Sequence, residues 1–367
     1  MPRWLLMLSC LVASPLFAQR PPDITLDAKM NRAAIDGVLK AIDKYYVSPA
    51  IAKEINETIR ARMERGEYDK IKSAFDLIDV MDEQLQAISK DAHLKVSYNH
   101  RGSPLVEGAD DLPDSPEDLA EDRKAARESN FGIERAARLP GNIGHLDVRA
   151  FHRPEYAGET VGAAMTLLAN TDALIIDLRN SRGGTPDMVL FLVSYFFAGE
   201  EPFHLGDFYS RPTDETQQLW TLPYVPGKRY VGKDVYILMS KRTFSAPEGF
   251  ASFMQHHKRA TVVGEPTRGG THPGMMIKVH EHFGVFVPMD KPVYPIGTPR
   301  FVLGRPFYEK WEADDDGRPV KPDIEVPAEQ ALKTAHLEAL QKKVAKEPKQ
   351  KEDLQPLIEN LKQELNR

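Results

Sequence analysis

Between residues 142 and 266 the chain alternates apolar runs of strand length with stretches of helical spacing, and this constrains its fold more than any other feature. NIGHLDV (142–148), ALIIDLR (173–179), VYILMS (235–240) and ATVVGEP (260–266) read as strands. AGETVGAAMTLLAN (157–170), DMVLFLVSYFF (187–197) and EGFASFMQHH (248–257) read as the helices between them. A strand–helix–strand order predicts a largely parallel sheet, because parallel neighbours need a crossover. Beyond it, MIKVHEHFGVFVPMD (276–290) reads as a β-hairpin or meander.

The flanks differ. Residues 29–90 carry apolar residues at helical spacing, as in MNRAAIDGVLKAIDKYYV and SAFDLIDVMDEQLQAI, with Pro49 separating two of the helices. This gives an N-terminal helical domain over 19–101, ending in a turn and strand at AISKDAHLKVSY. Residues 102–130 read as an acidic linker with one charged helix, 131–327 as the α/β core, and 328–367 as a charged, peripheral helical extension. The first 18 residues have Arg3, an apolar run over 4–13, Pro15 and Ala18, the pattern of a secretory signal peptide. The single cysteine, Cys10, lies inside it, so the mature chain would have neither disulfides nor thiolate-bound zinc. No other apolar run reaches membrane-spanning length. A net charge of −6 over 367 residues gives no basic footprint for nucleic acid.

Two strand ends carry chemistry. ALIIDLRNSRGG closes on Gly183 and Gly184, whose backbone can turn sharply and present bare N–H groups at the C-terminal end of a parallel strand. This is either a plain βα turn or half of an oxyanion hole. KRTFSAPEGFA places Ser245 between a strand and a helix. Ser245 can cap that helix, since Glu248 stands at capping-box spacing, or it can be a nucleophile lifted above the sheet. A serine nucleophile needs a base. His93, on the early turn, is one candidate among eleven histidines. His256 and His257 sit late in the helix, where cationic residues complement its dipole. His280 and His282 share one strand face in KVHEHFG without a third metal ligand at obvious spacing. Glu312, in KWEADDDGRPVKPDIEV, could orient a histidine or sit on a charged hairpin.

In order along the chain, the histidine turn, DLRNSRGG, TFSAPE, VVGEPTRGG and WE followed by VKPDI resemble the superfamily of tail-specific (C-terminal processing) proteases, the tricorn core and the interphotoreceptor retinoid-binding protein repeats. FGIERAARLPGNIGHLDVRAF (131–151) and the helical N-terminus are similar to the retinoid-binding-protein-like branch, which lacks a PDZ domain here. The resemblance implies an α/β, ClpP/crotonase-like parallel-sheet core with an N-terminal helical bundle. In tail-specific proteases a lysine about 25 residues after the serine serves as base, and here that position is Gly270. Tricorn-like members instead use a histidine on an early turn and a late glutamate, matching His93 and Glu312. That implies a Ser245–His93–Glu312 site, with backbone N–H groups of Ala246 and Gly183 or Gly184 holding the oxyanion. The serine that precedes the histidine in tricorn-like proteases is Ala92 here.

The expected activity is therefore hydrolysis of peptide bonds by an exported, periplasmic or secreted serine peptidase, with no cofactor and no metal. Its partners would be peptides or unstructured proteins, with a homo-oligomer left open and residues 207–230 forming part of the substrate wall. Activity would rise with the titration of His93, near about 6.5 unless the site shifts it. The alternative is a catalytically silent binder of a hydrophobic small ligand, the use that retinoid-binding relatives make of this fold.

Overall fold

A computed structural model describes residues 21–102, 116–296, 300–302, 305–307, 310–313 and 317–366. The segment over 1–18 expected to be a signal peptide lies outside the described residues. The N-terminal unit comprises α1 (Ala28–Tyr45), α2 (Pro49–Glu64), α3 (Ala74–Ser89) and β1 (Lys95–Tyr98). Asp27 caps α1 by accepting from Met30 N–H, and the helix buries Ile35, Val38, Leu39 and Ile42 along one stripe. Ser73 caps α3, which ends where Lys90 turns left-handed at φ 58°. The charged helix α4 (Pro116–Glu128) follows.

The chain then runs through β2 (Ile133–Leu139), β3 (Ile143–Val148), α5 (Pro154–Leu168), β4 (Ala173–Asp177), α6 (Pro186–Val193), β5 (His204–Ser210) and β6 (Glu215–Trp220). Next come β7 (Asp234–Met239), α7 (Ala246–His256), β8 (Thr261–Gly264), β9 (Gly274–Lys278), β10 (Phe283–Pro288) and β11 (Asp290–Ile296). The last elements are β12 (Arg300–Val302), β13 (Arg305–Phe307), β14 (Lys310–Ala313), β15 (Ile324–Glu325), α8 (Ala328–Lys346) and α9 (Lys351–Leu365).

Six strands form the central sheet in the order β15-β8-β7-β4-β3-β2. All neighbours are parallel except β2, which pairs antiparallel with β3 at the edge. This is the parallel sheet that the strand–helix alternation predicts. Alternate residues face opposite layers. Leu174, Ile176, Val235 and Ile237 pack with α5, α6 and α7, while Ile175, Tyr236, Leu238 and Val263 pack with the C-terminal helices. The C-terminal segment, expected at the periphery, is thus a structural layer. Ala331, Ala335 and Ala339, four residues apart on α8, are buried and let that helix approach the sheet closely.

Among the described residues three smaller sheets stand beside it, one of them the two-stranded β12-β13 pair. The order β14-β11-β5-β6 forms an antiparallel sheet beside α7, and β1-β10-β9 forms the third. The 276–290 segment is the hairpin its sequence predicts, but it packs with the N-terminal unit: Ile277, Phe283, Val285 and Val287 share a core with α1, α2 and α3. His280 and His282, expected on one strand face, lie in the turn between β9 and β10, where His282 Nδ1 is 3.0 Å from the Asn99 carbonyl oxygen. Among the described residues no helix is long and apolar enough to cross a membrane.

Candidate active site

The two glycine- and serine-bearing turns meet at the C-terminal edge of the parallel sheet. After β7 the chain folds back, and Thr243 Oγ1 donates to the Leu178 carbonyl at 2.9 Å while Ser240 Oγ donates to that of Arg179 at 2.6 Å. Phe244 N–H reaches the Ser181 carbonyl at 3.3 Å. These bonds tie the TFS turn to the turn that follows β4. Ser245 consequently stands at φ 72°, ψ −128°, a conformation that costs a non-glycine residue on the order of 1–3 kcal/mol. Its neighbour across the gap is Gly183, at φ 126°: a Cβ there would lie 3.4 Å from Ser245 Cβ and 3.7 Å from Oγ. Gly184, at φ 141°, abuts the Phe151 carbonyl, which accepts from Thr185 N–H at 2.8 Å.

The strained turn is held by Glu248. This fully buried carboxyl accepts from Ser245 N–H at 2.6 Å and from Gly269 N–H at 2.8 Å, so the spacing that suggested a capping box has a larger role. Burial pushes its pKa up to about 7, against the opposing effect of its hydrogen bonds from Thr267, Ser245 and Gly269. One carboxyl therefore fastens both the Ser245 turn and the Thr267–Gly270 turn.

His93 comes from the N-terminal unit, on the turn between α3 and β1. Asp91 shapes that turn by accepting from His93 N–H at 2.9 Å, and Gln86 donates to the Leu94 carbonyl at 3.2 Å. The imidazole packs against Phe244, with ring centroids 4.3 Å apart, and against Phe286 at 5.3 Å. Its Nδ1 is buried without a hydrogen-bond partner. Burial lowers the pKa to about 4, with Asp91 pulling the other way and His272 and Arg268 adding to the fall. The site thus shifts this group below the ordinary value of 6.5. His257, expected to be cationic at the helix end, is likewise lowered to about 4 by burial, and its Nε2 lies 2.6 Å from the Leu205 carbonyl oxygen.

Gly270, the position matching the lysine of tail-specific proteases in the sequence resemblance, leaves no room for a side chain. A Cβ there would sit 2.4 Å from Phe244 Cε2, 2.9 Å from His93 Cε1 and 3.0 Å from His93 Nδ1. The histidine ring and Phe244 occupy the space that a lysine stem would need.

Ser245, Ala246, Gly184, His93 and Gly270 line one cavity of about 570 Å³. Ala246 opens α7, so its N–H belongs to the orphan donors of the helix start. Among the described residues no hydrogen bond joins Ser245 to His93, so the hydroxyl and the ring share the cavity without a closed dyad. Residues 207–230 contribute Phe208, Ser210, Gln217 and Leu219 to the wall, as expected for that segment. Glu312 lies on β14 with its backbone opposite Tyr294, and its side chain is outside the described residues. The carboxylate the structure places beside the His93 backbone is Asp91. It is buried, accepts from Tyr46 Oη at 3.3 Å and lies 3.6 Å from Nδ1 of buried His272. Neither Asp91 nor His272 stood out in the sequence. The local signals are an aspartate two residues before His93 in KDAHL and a histidine two residues after Gly270 in TRGGTHPG.

Peptidase family S41 matches residues 142–301 of the chain, and the N-terminal domain of peptidase S41 in eukaryotic IRBP matches residues 24–129. The chain belongs to peptidase family S41. Its fold is similar to that of a putative peptidase from Parabacteroides merdae, with a TM-score of 0.52, 15% identity, and coverage of 81% of this chain and 90% of that one. A lipoprotein from Streptococcus agalactiae is similar at a TM-score of 0.50 and 14% identity, covering 86% of this chain and 96% of that one. At such identities the likeness concerns the fold. Within the family the helical N-terminal domain is of the retinoid-binding-protein type, as the sequence resemblance implied.

Proposed function

We propose that this chain is a serine peptidase in which Ser245 attacks the scissile carbonyl, His93 takes the serine proton and returns it to the leaving amine, and Ala246 N–H with a backbone N–H of the Gly183–Gly184 turn holds the oxyanion. The observation that carries the reading is the left-handed Ser245 at the head of α7, packed against Gly183 and opening into the cavity that His93 lines. A nucleophile on such a turn projects its hydroxyl away from the sheet, and the adjacent helix start favours developing negative charge. A His93 with a pKa of about 4 is neutral at physiological pH, the form a general base requires. Closure of the Ser245–His93 contact then accompanies substrate binding, since catalytic hydrogen bonds commonly tighten only in the complex. Glu312 is the proposed orienting carboxylate of the site. Arg3, the apolar run and Ala18 support export, with peptides or unstructured proteins as substrates.

A second reading, a silent binder of a hydrophobic ligand, draws on one observation: much of the cavity wall is apolar, including Val189, Leu190, Leu205 and Phe253. One experiment separates the two. A fluorophosphonate probe reacts with a serine activated by a base and an oxyanion hole. Labelling of the wild type that vanishes in Ser245→Ala is the expected result. A folded wild type that resists the probe would favour the binder.

A further inference from the structure

The cavity extends past the reactive serine to a wall made by β5, β6 and β11. On that wall Asp290 pairs in register with Ser210, and Phe208 with Gln217, so these four side chains face one way. All four line the cavity. We propose that this end of the cavity receives a basic side chain of the peptide, lysine or arginine, and that Asp290 sets the preference. The proposal rests on the reading of Ser245 as the nucleophile and adds the class of substrate.

Three observations carry it. First, Asp290 is half-buried, its one side-chain hydrogen-bond partner among the described residues is the Ser210 hydroxyl, and burial raises its pKa despite that bond. A carboxyl placed there is costly unless a cation meets it. Second, the lining offers no such cation among the described residues. Lys291 is opposite Tyr209, on the other face of the sheet, with Nζ 5.8 Å from the tyrosine ring. The second acid of the lining is Asp187 in the first turn of α6, and His93 is neutral at physiological pH. Third, the reach is right. Asp290 N–H donates to the Pro273 carbonyl at 3.1 Å. Pro273 follows Gly270, which touches His93, by three residues, a span of at most roughly 10 Å. Leu205, Phe208, Leu219 and Phe286 lie along the lining. A long aliphatic stem can pack on such apolar surface while its charged tip meets the acid.

The test uses two peptidyl phosphonates that react with an activated serine and differ only in carrying lysine or uncharged norleucine beside the reactive phosphorus. The readout is the ratio of their inactivation rates within each variant. At least a tenfold preference for lysine is expected in the wild type, falling to about one in Asp290→Asn and largely kept in Asp290→Glu. Equal rates in the wild type, or an undiminished ratio in Asp290→Asn, would overturn the proposal. Should neither phosphonate react, the reading of Ser245 fails first. Binding of N-acetyl-lysine methylamide against its norleucine counterpart to Ser245→Ala, followed by NMR shifts, then decides the subsite alone: a lysine preference lost in the Asp290→Asn double variant supports it, and equal binding overturns it.

Discussion

Replacing Gly270 by alanine adds one methyl group at the point where the Ser245 turn and the His93 turn touch. That methyl would meet Phe244 at 2.4 Å and His93 at 2.9 Å, against roughly 3.5–4.0 Å for comfortable carbon–carbon contact. Both rings must therefore retreat, Phe244 by about 1 Å and His93 by somewhat less. Forcing a methyl into a packed site costs typically about 1–3 kcal/mol, readable as a lower urea midpoint with an unchanged slope. The effect on reactivity should be larger, because a displacement of about 1 Å in a catalytic group can cost about 100-fold. Gly270→Ala should thus label with a fluorophosphonate some two orders of magnitude more slowly than the wild type while remaining folded, and Gly270→Lys should fail to restore a serine–lysine pair. Wild-type stability together with wild-type labelling in Gly270→Ala would refute the reasoning, since the methyl would then have room and His93 would not be held where its contacts place it.

Three further outcomes are expected. The rate of probe labelling should rise with pH through about 4, the value to which burial lowers His93; a limb at the ordinary histidine value of 6.5 would show that the ring is solvated. Because that pKa is depressed, the neutral ring's contribution to stability is full above 6.5 and is lost as pH falls through about 4. Glu248 works in the opposite sense: its pKa is raised from 4.5 to about 7, so its contribution is full below 4.5 and is lost as pH rises through 7. Urea titrations of wild type and Glu248→Gln should therefore diverge over that window by up to about 3 kcal/mol, and parallel pH profiles would argue against a buried, titrating Glu248. Ser245→Gly should be more stable than Ser245→Ala by about 1 kcal/mol, because glycine accepts φ 72° without penalty; equal stabilities would mean that the turn is unstrained.

The parallel sheet was legible because its strands are bounded by glycine, proline and polar turns and separated by helix-length segments. That the Ser245 turn and the Gly183–Gly184 turn follow strands was legible for a related reason: both are marked locally, by small and polar residues directly after an apolar run. What could not be read was proximity between distant segments. Asp91 and His272 stand 181 positions apart in the sequence, and nothing local to either indicates that they lie 3.6 Å apart in a buried cluster with Tyr46. Glu248 was visible only as a capping spacing, since the Gly269 N–H that makes it a clamp belongs to another turn. The downward shift of His93 was not legible because the rings packed on it, Phe244 and Phe286, come from β7's turn and from β10. The C-terminal helices looked peripheral because their composition is charged, while the small residues that seat α8 on the sheet are alanines, which a hydropathy reading undervalues.

The β9–β10 hairpin has a consequence for synthesis of the chain. It is made after the Ser245 segment, yet Phe283, Val285 and Val287 complete the core that supports the His93 turn. A ribosome that has released the first hundred residues has therefore not released a finished His93-bearing unit. The helices must wait, with apolar faces uncovered, until residue 288 or so has emerged, by which time the serine turn has emerged as well. Packing of the His93 turn is thus tied to synthesis of a hairpin that follows the Ser245 turn, and a truncated chain ending before that hairpin would lack the packing that fixes its histidine.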